Sequence, residues 1–169
     1  MMRVRGFSLV ELVIVVGIIA VIAIPRMSQA GTGANEAALR ANLAAVRTVI
    51  DMDAAEHGGT FPGAVSDGTN AAGTAKCFRW QLWYFSNADG VISQDEQTGY
   101  PFGPYIRKLP KVQFGPAADK ISVAMVGNGV PLSGDPDPIN PWKYDYTTGE
   151  FIFNWDALSS DGVTKYDDF

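Results

Sequence analysis

The sequence predicts an α+β protein: a long N-terminal helix, membrane-spanning in its first half and amphipathic in its second, packed on a small antiparallel C-terminal sheet. Three observations predict it. Phe7–Ile24 is almost wholly apolar. Leu39, Leu43, Val46 and Ile50 recur at spacings of four, three and four, the stripe of a helix with one buried face. Near the C-terminus, Trp142, Tyr144 and Tyr146 alternate with Lys143 and Asp145, and Phe151, Phe153 and Trp155 alternate with Ile152 and Asn154, on either side of Thr147-Thr148-Gly149. With 169 residues the chain has enough for one domain with a core and one additional long element.

The first element begins with a basic stretch, Met1-Met2-Arg3-Val4-Arg5-Gly6, followed by the apolar run and then by Pro25. As a helix, the run rises roughly 27 Å, close to the ~30 Å of a hydrocarbon core. Arg3 and Arg5 ahead of it keep the N-terminus cytoplasmic, so everything after Pro25 should lie outside. Glu11 is out of place within this run. A carboxylate there costs several kcal/mol unless it is paired, and intramembrane acids are functional suspects by default. A new N-terminus made after Gly6 would put an amine on Phe7, about one helical turn before Glu11. The pair could form within one chain or with the amine of a neighbouring subunit, where it would set the axial register of two helices. A secretory signal peptide cleaved near Ser28-Gln29-Ala30 also has a basic start and an apolar core, but Glu11 would then fall inside that core. A plain anchor with an accidental Glu is the remaining bland reading.

Beyond Pro25, Gly31 and Gly33 weaken the helical pattern. Asn35 is a candidate N-cap for a helix running to about Glu56, with Glu36 in its first turn and His57-Gly58-Gly59 as its stop. The stripe on this helix suits packing on its own sheet better than a coiled-coil seam or a cofactor face. Lys76–Phe85 is a short aromatic segment with helical character, its rings better suited to a core than to a stacking surface. Asn87-Ala88-Asp89-Gly90 is a turn without the spacing of an EF-hand loop. Ile121–Val126 alternates weakly, as a strand does. The predicted division is a leader at 1–6, a membrane helix at 7–25, an amphipathic stalk at 26–57 and a globular domain at 58–169.

Composition narrows the function. A net charge of −5 disfavours nucleic acid as a primary partner, because phosphate recognition needs clustered Lys and Arg. The single cysteine, Cys77, cannot close an intramolecular disulfide and has no Cys or His companions at metal-ligand spacing, and the single histidine, His57, suits a helix end better than a catalytic base. No catalytic constellation is present in the pattern, so an enzyme is not the primary expectation.

The N-terminal segment resembles that of the type IV pilin and pseudopilin family: Gly6, then Phe7-Ser8-Leu9-Val10-Glu11, then an apolar run rich in β-branched residues that ends at a proline. The run before Pro25 is about one turn shorter than is usual there. The resemblance implies that a prepilin peptidase cuts after Gly6 and methylates the Phe7 amine, and that Glu11 aligns an incoming subunit with the growing filament. It implies a single-pass inner-membrane protein with its domain in the periplasm, later part of a periplasmic or surface filament. Its partners would be copies of itself, the peptidase, an inner-membrane assembly platform and minor pseudopilins. Many surface pilins carry a C-terminal disulfide loop, which this chain cannot form. Tyr105-Ile106-Arg107-Lys108-Leu109-Pro110 and the acidic tail resemble the major pseudopilin of type II secretion, in which a "DG…DD" loop binds calcium. Asp161, Asp167 and Asp168 match those acids, and a hard cation suits such oxygens. The expected function is therefore a pseudopilus subunit driving protein export. A surface pilin for adhesion, motility or DNA uptake is the alternative, and a secreted enzyme or binding protein is more remote.

Overall fold

The computed structural model describes residues 8–169, and side chains for 8–19 and 31–169. Helix α1 runs unbroken over Leu9–Glu56. Ser8, in extended conformation, is its N-cap, and the Glu11 carboxylate accepts the Ser8 backbone N–H at 3.4 Å. The weakening expected at Pro25, Gly31 and Gly33 does not interrupt the long helix, and Asn35, the candidate N-cap, lies inside it. An interior proline forfeits a backbone hydrogen bond and each glycine costs about 1 kcal/mol. Ending the helix and starting another would repeat the unfavourable nucleation step, and the second half is held by packing. The stop falls where expected: His57 is the C-cap, and Gly58 and Gly59 take φ of +64° and +89°.

Leu39, Leu43, Val46 and Ile50 are each at most 2% exposed and form one face of the core. Opposite them lies α2, Ala75–Trp83. Its N-cap Thr74 accepts the Cys77 N–H at 3.2 Å, and Phe78 and Leu82 point inward. The helix stops short of the expected Phe85, because that residue enters a strand. β1 (Phe85–Ser86) pairs antiparallel with β2 (Ile92–Ser93). The turn between them is held by Asn87, whose Oδ1 accepts the N–H groups of Asp89 and Val91 at 3.0 Å each.

The main sheet has the order β3 (Val123–Val126), β4 (Trp142–Asp145), β5 (Phe151–Phe153). β4 and β5 form the expected antiparallel hairpin, with Trp142 opposite Phe153 and Tyr144 opposite Phe151. All four rings are at most 1% exposed, and Trp142 stacks on Phe151 with centroids 5.2 Å apart. β3 corrects the expectation of an antiparallel sheet: it runs parallel to β4, from Val123 beside Trp142 to Val126 beside Asp145. A parallel return requires a crossover of a dozen or more residues, commonly a helix. Here irregular chain at 127–141 does it, and side chains of the sheet and tail satisfy its backbone donors. Gly129 N–H donates to Asp145 Oδ2 (2.9 Å), Leu132 to Glu150 (2.8 Å), Gly134 to Asp167 Oδ2 (2.7 Å) and Asp135 to Asn154 (2.9 Å). At Gly134 the approach is so close that a Cβ would lie 2.7 Å from the Trp155 nitrogen. The Tyr105–Pro110 stretch leads under the sheet: Leu109 is buried, and the Pro110 carbonyl accepts the Trp142 indole N–H at 3.1 Å.

At the C-terminal end of α1, Asp53 and His57 are buried together. The imidazole Nδ1 lies 2.7 Å from the Asp53 main-chain carbonyl, which can only accept, so Nδ1 carries a hydrogen. Nε2 lies 3.1 Å from Ser86 Oγ. Burial pushes the Asp53 carboxyl up to about 7; His57 opposes the shift and Glu56 adds to it. The folded protein therefore keeps a proton here that the unfolded chain, near the ordinary 3.8, releases. The resulting stability is present below pH ~4 and is lost as pH rises through ~7. The urea midpoint should fall over that window, with a slope of up to ~1.4 kcal/mol per pH unit. Asp53→Asn should flatten it, and an unchanged slope in that variant would refute the assignment.

Candidate functional site

Between Leu9 and Ile19 nine large apolar side chains are exposed, from 45% at Val15 to 78% at Leu9. Leu12–Val16 are consecutive, so they point in every direction around the helix axis. A helix that is apolar all round is stable only inside lipid or among other helices. Glu11 is exposed in this arm. Among the residues of α1 whose side chains are described, Glu36 is the first that is buried. Gly6 and Phe7, the expected processing residues, lie outside the described residues. The expected span at 7–25 also extends into positions whose side chains are not described. Among the described residues no helix is long and apolar enough to cross a membrane.

Where the domain begins, α1 holds the chain's last segment. The Glu36 carboxylate accepts the Ser160 N–H (2.7 Å), the Ser160 hydroxyl (2.6 Å) and the Tyr166 hydroxyl (2.9 Å). These donors, the Ser160 hydroxyl foremost, together with a smaller effect of the Arg40 charge, outweigh burial and hold the carboxyl below its ordinary value. Arg40 lies 3.8 Å over the Phe169 ring, and Arg47 donates to the main-chain oxygens of Phe151 (2.9 Å) and Phe169 (2.6 Å). Glu36 was legible only as a first-turn acid; nothing near it in sequence announces a partner more than a hundred residues away.

The three acids of the tail take separate roles. Asp161 closes a local turn, accepting from Ser159 Oγ (2.7 Å), Val163 N (2.8 Å), Thr164 N (2.9 Å) and Thr164 Oγ1 (2.7 Å). These donors, led by the Val163 N–H, hold its carboxyl far below the usual range. Asp167 anchors the crossover through Gly134, and its Oδ1 is buried without a hydrogen-bond partner. Asp168 ends a 3-10 turn at Tyr166–Asp168. Among the described residues no group of three or more His, Cys, Asp or Glu side chains could hold a metal ion. Calcium chelation tests the expectation at these acids: a fall of several degrees in the melting temperature of the detergent-solubilised protein would show that they gather around an ion, and an unchanged value would leave the tail a solvated acidic end. Cys77 is buried, and its S–H donates to the Val65 carbonyl at 3.1 Å. Burial first, and then the Asp67 charge, push the thiol up to about 11, which leaves it a poor nucleophile at neutral pH.

Residues 1–25 match the prokaryotic N-terminal methylation motif, the segment through which type IV pilins and pseudopilins are processed. The chain is thus pilin-like at its N-terminus; such a motif implies prepilin peptidase processing and filament assembly in general, and it points to a structural subunit. No curated protein and no solved structure matches the chain.

Proposed function

We propose that this chain is a structural subunit of a periplasmic pseudopilus, the major pseudopilin of a type II secretion system, whose assembly drives folded proteins out of the cell. The observation that carries the filament reading is the exposed apolar run Leu9–Ile19 with its one acid, Glu11, continuous in one helix with the segment that packs on the domain. In a filament, the arms of many copies bury one another, and Glu11 meets the Phe7 amine of a neighbour. Export rather than a surface pilus is favoured by the single cysteine, by the Tyr105–Pro110 stretch and by the acidic tail. In this reading the protein is held in the inner membrane by residues 7–25 until assembly, with its domain on the periplasmic side.

Two measurements test it. Intact-mass and N-terminal peptide mass spectrometry of protein from its native membrane should find a chain that begins at Phe7 with a methylated amine. A start near Gly31 would mean export by an ordinary signal peptide and would overturn the filament reading. Deleting the gene should then empty the culture supernatant of secreted proteins and leave surface filaments in place. Lost surface filaments with normal secretion would make it a surface pilin instead.

A further inference from the structure

A second site lies at the other end of α1, independent of the filament reading. A cavity of about 240 Å³ is framed by Asp53 and His57, by Phe61 and Val65 from the chain that follows, by Gln81 of α2 and by Asp89 of the β1–β2 turn. It has room for several waters at ~30 Å³ each, and so for a short organic molecule.

Its polar groups lack one thing. Asp53 is 2% exposed, yet its Oδ1 has no hydrogen-bond partner. His57 does not supply one, because Nδ1 is 3.5 Å from Oδ1 and gives its hydrogen to the main-chain carbonyl at 2.7 Å. Gln81 is engaged elsewhere: its side-chain carbonyl accepts from Gly63 N–H (2.6 Å), and its amide donates to Gly90 O (2.8 Å) and Val65 O (3.4 Å). The lining holds a second acid, Asp89, and no Lys or Arg. A buried carboxylate oxygen without a donor is costly, and a charged donor relieves it most strongly. Phe61 and Val65 offer apolar contact beside it. No three metal-ligating side chains converge among the described residues, so a bare metal ion is a poor fit.

We propose that this cavity binds a primary alkylammonium group, its N–H hydrogens on Asp53 Oδ1 and its alkyl stem against Phe61 and Val65. The ammonium could be that of a free amine or of a lysine side chain in a polypeptide.

His57 is the only histidine, so its imidazole signals in a ¹H–¹⁵N spectrum report on this site alone. The full-length protein in detergent, at pH 8 and fixed ionic strength, is titrated with n-butylammonium chloride, with sodium chloride and n-butanol as controls. The expected result is a saturable shift of the His57 signals with butylammonium only, weakened at least tenfold in Asp53→Asn with unchanged far-UV circular dichroism. Should that variant lose its fold, Val65→Trp, which blocks the partly exposed rim, must abolish the shift. A second arm uses Nα-acetyl-lysine N-methylamide. Equal or tighter binding than butylammonium identifies a polypeptide lysine as the source, and binding by butylammonium alone identifies a free amine. A linear response, or an equal one from sodium or butanol, means that the cavity holds only water, and overturns the proposal.

Discussion

Glu11→Val should abolish filament assembly while the protein still enters the membrane. The substitution removes the one charge from the apolar run, so insertion becomes easier by a few kcal/mol. In the proposed filament, what is lost is the partner for a neighbour's N-terminal amine, and with it the register of one subunit on the next. The same carboxylate also accepts the Ser8 N–H at the start of α1, so a local effect on the helix has to be separated from the effect on assembly. Glu11→Gln makes the separation: an amide can still accept from Ser8, but it carries no charge. Both variants should appear in the membrane fraction at normal levels and be missing from sheared, pelleted filaments. Normal filaments from either would sink the register argument.

Trp142→Ala is expected to be the most damaging single change in the domain, at about 3–5 kcal/mol. That is a large part of the ~5–15 kcal/mol that holds a domain together. Trp142 is fully buried, stacked on Phe151 and edge-on to Phe153. Truncation leaves a cavity between the sheet and α1, and it also strands the Pro110 carbonyl, which accepts the indole N–H. Trp142→Phe fills most of the space and loses the hydrogen bond, so it should cost less than half as much. Urea denaturation of the two variants measures both terms. Equal losses would mean that the hydrogen bond, and not the volume, dominates.

Features that depend on local periodicity were legible in the sequence. The Leu39, Leu43, Val46, Ile50 stripe and the alternating rings of Trp142–Phe153 each report one buried face, and both lie in the core. Features that depend on distant pairing were not. Nothing near Val123 indicates that it pairs parallel with Trp142, because the crossover has no helix to announce it; its donors are satisfied by Asp145, Glu150, Asn154 and Asp167, residues that look like ordinary surface polar groups. Pro25 and the two glycines after it weaken the helical pattern in the sequence, but they are local penalties within a helix anchored at its far end. At the candidate site, Glu11 stood out because a charge within an apolar run has no structural excuse. Asp53 and His57 looked like one more helix end, since their burial comes from Phe61 and from the β1–β2 hairpin brought over them by the fold.

The grip of α1 on the tail has a consequence for how the protein is made. Glu36, Arg40 and Arg47 are among the first residues of the domain to be synthesised, and their partners, Ser160, Tyr166 and Phe169, are the last. The rings of Phe151, Phe153 and Tyr166 complete the core only when that final stretch arrives. Contacts so far apart along the chain form slowly. In the proposed export reading, the domain would therefore close only after its C-terminal stretch has crossed the membrane.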